Sequence, residues 1–489
     1  MRHVRSVAFL ALIFLAERST TAEGPGPAVT VRLGAPDRQA EELIGLFRGA
    51  KVADPAAALA AWKRASREPD RLGKPLEAAI AAINPRMARE LRSLDGAEVA
   101  FWPSAEGPRF TWGALLPDDD GTFAALGSAL VLTDGAVEEP LEGLAVDRLG
   151  RPGSPLLVNG PRGLFLGGTR EGLRASFGRA RAAADPEDRP GIHLGVTPEI
   201  LRAPRSLAGR RVAKLFQDRA FAGLDLDIVI VDGSSRASLL GRMLAPGPAA
   251  ATVEPGWLDL VPADRAMAAF ALAIDPRAAA WDDAFALADR VERVDPARDA
   301  LAPLRLRLEL VARAVGVRTE RDVLPHLKGV SGWAGSVGKR VDSALVAVHL
   351  DDEAAAARLA SGIKPPTVAG RPVRVVREGS SVWLAWGDRV FEASRDARAR
   401  PGGSAGPTLR EGWDRPAPSF SGGVWPGRVP GLAPSGSPLA EALDHADPLI
   451  VQGSIDPGGL VRASASWRGL RRAVSRFLDL IPLDPPPDR

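Results

Sequence analysis

GVSGWAGSVGKRVDSALVAVHLDDEAAAARLAS, residues Gly329 to Ser361, is the stretch on which the fold reading turns. Its first part, GWAGSVGKR (Gly332 to Arg340), comes close to a phosphate-binding loop. Such a loop needs G-x-x-x-x-G-K-[ST] between a strand and a helix. Here Trp333 stands five places before Gly338, and Arg340 follows Lys339 where a magnesium-binding hydroxyl belongs. What comes next is also wrong for a phosphate loop. In ALVAVHL, Ala344, Val346, Val348 and Leu350 alternate with Leu345, Ala347 and His349, the period of a strand. Gly335, Gly338, Lys339 and Arg340 therefore read as a hairpin turn feeding a strand. Asp351 and Asp352 then open the alanine-rich helix, where a carboxylate accepts backbone N–H groups at the positive end of the dipole. Capping is preferred here to a metal role.

An ungapped offset of 233 sets this block on GAEVAFWPSAEGPRFTWGALLPDDDGTFAALGS, Gly96 to Ser128, matching Asp118 and Asp119 to the later aspartates and Leu126 to Leu359. Identity is low, but the order of elements recurs around both blocks. VTVRLGAPDRQAEELIGLF (Val29 to Phe47) and AAFALAIDPRAAAWDDAFAL (Ala268 to Leu287) each read as strand, turn and helix, with Asp275-Pro276 as cap and first-turn proline. LLVNGPRGLFLGG, with Asn159-Gly160 at its turn, is echoed by VRVVREGSSVWLAW, with Glu378 to Ser381 at its turn. RRVAKLF (Arg210 to Phe216) is echoed by RRAVSRFL (Arg471 to Leu478), while the strand LDLDIVIVDG (Leu224 to Gly233) has no evident second copy. The expectation is an α+β protein of two related copies, each an antiparallel sheet with flanking helices. The expected organisation is a signal peptide over 1–22, a first copy over 23–250 and a second over 251–489. APGPAAATVEPGW (Ala245 to Trp257) is the boundary, and Pro401 to Pro438, with 17 glycines and prolines, is a long loop or strap.

The opening MRHVRSVAFLALIFLAERSTTAEG has the parts of a secretory signal: Arg2 and Arg5, the apolar run Val7 to Ala16, and small residues Thr20 and Ala22 before a cut. The apolar run is too short to span the roughly 30 Å hydrocarbon layer. No later segment is long and apolar enough to do so, and the expected location is periplasmic or extracellular. A formal charge of +3 over 489 residues gives no strong basic field, so nucleic acid is not expected as a partner. Cysteine and tyrosine are absent, which removes disulfides, thiolate chemistry and a common general acid.

Chemical motifs are few. GGSAG, Gly402 to Gly406, has the letters of a nucleophile elbow but sits in a Gly/Pro-rich stretch without the strand-to-helix context. Asp118-Asp119-Asp120-Gly121 departs from a calcium loop in its glycine spacing and lacks the closing glutamate. His349 stands two residues before Asp351 at a strand end, where a solvent-facing or cap-bonded ring is expected. His445 lies between Asp444 and Asp447, His326 follows Asp322 by one helical turn, and His193 has no suggestive neighbour. Trp413, Phe420 and Trp425 read as anchors of the strap. The stretch Trp467 to Leu480 reads as a basic amphipathic helix, packed on its own sheet in preference to an anionic membrane surface. No residue is assigned a catalytic, cofactor-binding or metal-binding role, and no cofactor is expected.

RDVLPHLKGVSGWAG, followed by a strand, an Asp-capped alanine-rich helix and a further hairpin, resembles exported bacterial proteins grouped as a domain of unknown function, clearest over about Ala263 to Asp396. The resemblance implies architecture and no activity. The expected role is a non-catalytic envelope or secreted protein that binds a partner protein or small ligand. The alternative is an envelope hydrolase using carboxylates, which meet only in three dimensions.

Overall fold

The computed structural model describes residues 27–46, 96–103, 110–116, 135–149, 155–160, 163–182, 190–199, 221–243, 251–274, 289, 302–337, 340–413, 417–433, 436–455 and 460–480. The protein is mixed α and β, with antiparallel sheet as its main component and comparatively few helices. The chain divides into two compact units, residues 1–237 with 474–489, and residues 238–473. The signal segment 1–22, Asp118 to Asp120, Leu126, Arg210 to Phe216 and Asp275-Pro276 lie outside the described residues.

The first unit contains β1 (Val29–Gly34), β2 (Gly96–Pro103), β3 (Phe110–Leu116), β4 (Gly135–Leu141), β5 (Leu144–Leu149), β6 (Leu156–Gly160), β7 (Gly163–Gly167), β8 (Gly191–Val196) and β9 (Phe221–Val231). They pair antiparallel in the order β9-β8-β1-β2-β3-β7-β6-β5-β4. β9 turns through Asp232 and Gly233, both at positive φ, into β10 (Ser234–Met243), as a tight right-twisted hairpin requires. Trp112, Ala114 and Leu116 point to one buried cluster with Val99 and Leu166. On a second cluster, the helix Arg170–Ala182 brings Leu173 and Phe177 against Phe165, the two rings meeting edge-on at 4.6 Å. Asn159 and Gly160 are not the turn that the sequence suggests; they end β6, paired with Leu164 and Gly163. A Cβ on Gly160 would come within 2.8 Å of the Phe165 ring, so this glycine makes room for packing.

The second unit contains β11 (Ala266–Ala273), β12 (Leu327–Val337), β13 (Arg340–Leu350), β14 (Thr367–Val368), β15 (Arg371–Pro372), β16 (Arg374–Glu378), β17 (Ser381–Trp386), β18 (Phe420–Val424), β19 (Leu449–Ile455) and β20 (Leu460–Trp467). Apart from the small β14–β15 pair, the antiparallel order is β20-β19-β18-β11-β12-β13-β17-β16. The alternation in ALVAVHL is realised on two buried faces. Leu345 and Ala347 pack with Trp333, Trp383 and Phe391 under the helix Val390–Ala399. Val348 and Leu350 pack with Leu327, Val382 and Leu359 under the helix Glu353–Gly362. A fully buried leucine or phenylalanine contributes about 1.5–3 kcal/mol. The second face is covered only toward Leu350, since Val346 is exposed.

Three expectations are corrected here. First, GWAGSVGKR is mostly strand: Gly335 pairs Ser343 and Val337 pairs Arg340, and residues 338 and 339 lie outside the described residues. Second, residues 401–438 are not one loop. They carry the short helix Gly406–Leu409 and β18, which lies between β11 and β19. The glycines there serve close approach, since a Cβ on Gly422 would sit 2.6 Å from the Ala269 carbonyl oxygen. Third, Trp467 ends β20, its indole N–H donating to the Asp447 carbonyl; the helix starts later, at Leu470–Leu480, with Ala473 and Leu478 buried.

Candidate functional site

The residues with the most chemical potential in the second unit gather on β12, β13 and β17. His349 and Ser381 are directly opposite on β13 and β17, and Ser331 lies diagonally across on β12, all on one sheet face. His349 is therefore held from both sides: its Nε2 lies 2.7 Å from Ser331 Oγ and its Nδ1 2.8 Å from Ser381 Oγ. Trp257, at the end of the 3-10 turn Pro255–Trp257, stacks on the ring with centroids 4.3 Å apart and planes 1° from parallel. His349 is 4% exposed and Ser331 0%. Burial, and after it the Arg398 guanidinium, holds the imidazole pKa at about 3, so the ring is neutral under ordinary conditions. The expectation of a solvent-facing or cap-bonded His349 is overturned. The ring points into the core because alternation puts it on the same face as Leu345 and Ala347.

A serine hydroxyl bonded to an imidazole has the letters of an activated nucleophile, which also needs an orienting partner and access to substrate. Here the far nitrogen meets another serine, half-buried, and the imidazole itself is covered by an indole. Beside it, Trp333 donates its indole N–H to Ser394 Oγ at 2.9 Å, both residues buried. These are satisfied core polar groups.

The paired aspartates divide their work. Asp352 is the helix N-cap, its carboxylate accepting from Ala354 N and Ala355 N at 3.0 Å each. Those two backbone donors lower its pKa. Asp351 instead turns to His326, with Oδ1 2.9 Å from Nδ1. Asp322, expected as a neighbour of His326, accepts from Arg318 N. In the first unit His193 Nδ1 lies 2.7 Å from Asp227 Oδ1, in a cross-strand row that runs Glu98, Arg32, His193, Asp227. His445 follows the helix Pro438–Asp444 as its exposed C-cap. Among the described residues no group of three or more His, Asp or Glu is placed to hold a metal ion.

Ser404 of GGSAG follows the turn after the helix Val390–Ala399, with no strand leading into it, and its Oγ accepts from Gly406 N. Trp425 is buried, and Trp413 packs against the same core with its indole N–H donating to Ser421 Oγ. The aromatics of this segment thus anchor it, as expected.

A cleft of about 350 Å³ opens on the second unit between the turn Pro262–Arg265 and the helix Val390–Ala399, with Gly402 and Gly403 in its lining. Asp264, Arg265, Arg389, Glu392, Asp396 and Arg400 line it. Arg400 is tied to Asp396 at 2.8 Å. The turn is held by Arg428, whose Nη1 donates to the Ala263 and Ala266 carbonyls at 2.8 Å and whose guanidinium lies over the Trp425 ring. Burial lowers the pKa of Arg428 against the opposing pull of Asp264. The wall of the cleft therefore carries charges of both signs. Sequence reading missed this cleft, because its two walls are separated by more than a hundred residues along the chain.

No family model matches the chain, and no curated protein matches it. Among solved structures, three crystal forms of TP0453 are similar at TM-scores of 0.25, 0.22 and 0.22, with 10%, 9% and 9% identity. Each alignment covers 45% of this chain, and 78%, 77% and 76% of that chain respectively. Likeness at that level does not bear on function. No helix among the described residues is long and apolar enough to cross a membrane.

Proposed function

We propose that the chain is an exported, non-catalytic binding protein of the envelope or the secreted space, whose ligand or partner meets the second unit at the cleft beside Arg389. The export part rests on the basic, apolar and small-residue order of residues 1–22. The binding part rests on one contrast. The accessible charged groups, Arg265, Arg389 and Glu392 among them, line an open cleft, whereas the histidine with hydroxyl partners is sealed under Trp257. The mature chain, residues 23–489, would be titrated with free tripeptides, inorganic phosphate and acidic disaccharides while its melting temperature is followed. Saturable stabilisation that Arg389→Ala removes is the expected result. A stabilisation untouched by Arg389→Ala and Glu392→Gln places binding elsewhere and ends this reading, as does recovery of intact Met1 in the cytoplasm.

The carboxylate-hydrolase alternative draws on the presence of Asp264, Glu392 and Asp396 in the same cleft. It requires turnover of an aryl glycoside or similar substrate that Glu392→Gln or Asp396→Asn abolishes.

The two units are, in our reading, copies of one plan. The support is their matching pairing orders, β9-β8-β1-β2-β3-β7-β6 against β19-β18-β11-β12-β13-β17-β16, with a helix after β7 and after β17. The offset of 233 needs one adjustment. It carries the pair Glu98–Leu115 onto Ser331–Val348, whereas Ser331 pairs Ala347, so the registers of the two hairpins differ by one residue there. Expressing each unit's experimental structure and superposing them by connectivity tests this; different strand orders would sink it.

A further inference from the structure

The chain from Val253 to Val261 crosses the sheet face of the second unit and buries Val253, Trp257, Leu258, Leu260 and Val261 in the same core as Ala271 and Trp333. Backbone bonds hold its ends, Val253 N donating to the Pro418 carbonyl and Ala405 N to the Val261 carbonyl, and side chains hold it at the side. Arg410 Nη1 donates to the Pro255 carbonyl and to Asp259 Oδ1, each at 2.7 Å, and Lys328 pairs with Glu254 at 3.4 Å. In the middle the segment rests on a histidine: Trp257 is stacked on His349. Gly329, opposite His349 on β12, makes that possible, since a Cβ there would lie 2.3 Å from the indole.

The hydrogen bonds of His349 suit the neutral ring alone. A neutral imidazole has one donor and one acceptor nitrogen, so one serine donates to it and the other accepts from it. A second proton makes both nitrogens donors. The serine hydroxyl that was donating must then turn its hydrogen elsewhere; Ser381 is half-buried, but Ser331 has no contact with water. Among the described residues no carboxylate holds the ring in its charged form. The helix Val390–Ala399 brings Arg398, a like charge, and β12 brings Lys328, already paired with Glu254 of the segment. Asp351, just past β13, is committed to His326, and Glu378, the last residue of β16, to Arg395. The Trp257 face attracts a cation, which works the other way. Burial and Arg398 both press the ring toward its neutral form.

We propose that His349 is an acid-sensitive latch for the Val253–Val261 segment: the ring takes up a proton as Trp257 lifts from it, and the core above β11 and β12 is uncovered. In the closed form the ring titrates at about 3, against 6.5 for a free histidine. Between pH 7 and pH 4.5 the balance therefore moves toward the released form by roughly 70-fold.

Hydrogen exchange of the mature chain, followed by mass spectrometry at pH 7 and pH 4.5 and corrected for intrinsic rates, tests the latch. Peptides covering 253–261 in the wild type should lose protection at the lower pH ahead of β13 and β17. In His349→Gln, whose amide can donate and accept but not titrate, they should keep it. An equal acid response in both chains, or none in the wild type, overturns the proposal. Should the variant fail to fold, ring NMR of the wild type decides. Protonation of His349 must coincide with loss of protection in the segment, and a ring that protonates under an unchanged segment refutes the latch.

Discussion

The indole of Trp257 lies flat on the imidazole of His349, 4.3 Å between centroids, and reaches that position over a glycine, Gly329, that has no side chain to lift it. The Pro255–Trp257 turn is joined at this point to the β12–β13 hairpin, so changes there should be felt in the core they share.

Gly329→Ala is expected to destabilise the protein by about 1–3 kcal/mol, the usual range for forcing extra volume into a packed core. The added methyl would lie 2.3 Å from the Trp257 ring and 2.5 Å from the Leu272 carbonyl oxygen, and the backbone atom cannot step aside. Urea unfolding followed by tryptophan fluorescence measures it. Unchanged stability would mean that Trp257 does not sit over β12.

Trp333→Phe keeps most of the buried ring but removes the N–H that Ser394 Oγ accepts at 2.9 Å. Ser394 is 0% exposed, so its hydroxyl loses a partner that water does not replace. A loss of about 1–3 kcal/mol is expected. The double variant Trp333→Phe with Ser394→Ala should recover part of it, and failure of that recovery would remove the hydrogen bond from the account.

Stability should fall in acid with a slope set by His349. Its folded pKa of about 3 lies below the unfolded value of 6.5, so the folded state favours the neutral ring. The contribution is complete above pH 6.5 and is lost as pH falls from there toward 3, at about 1.4 kcal/mol per pH unit for a single proton. Denaturation at a series of pH values gives the slope, and His349→Gln should flatten it in this window.

The adjacent aspartates should behave differently. Asp352→Ala removes two capping hydrogen bonds from the helix Glu353–Gly362 and should lower the melting temperature, an effect that shrinks as pH falls through the lowered pKa of this carboxyl. Asp351→Ala removes an exposed pairing with His326 and should change stability less. Equal effects of the two substitutions would contradict the single cap.

Period and capping were legible in the chain because they are local. The alternation of ALVAVHL places Leu345 and Ala347 on one face and Val348 and Leu350 on the other, whatever lies beyond. An aspartate before EAAAARLA caps because its oxygens reach donors two and three residues ahead. Glycine was where such reading failed. Gly422 and Gly423 in β18 looked like loop residues, yet Gly422 is small because β11 passes within 2.6 Å of where its Cβ would be.

By itself, the sequence determined the α+β character, the sites of hairpins to within a few residues and the helix start at Asp352. The tertiary structure alone decided the partners of His349, which come from 18 residues back, 32 residues ahead and the distant turn at Trp257. It also decided that Asp351 faces His326, and that a charged cleft forms between a turn near Asp264 and a helix near Glu392. The reason is the reach of the forces involved. Side-chain period and capping act over one to four residues, whereas burial and cross-strand pairing depend on which strands lie side by side.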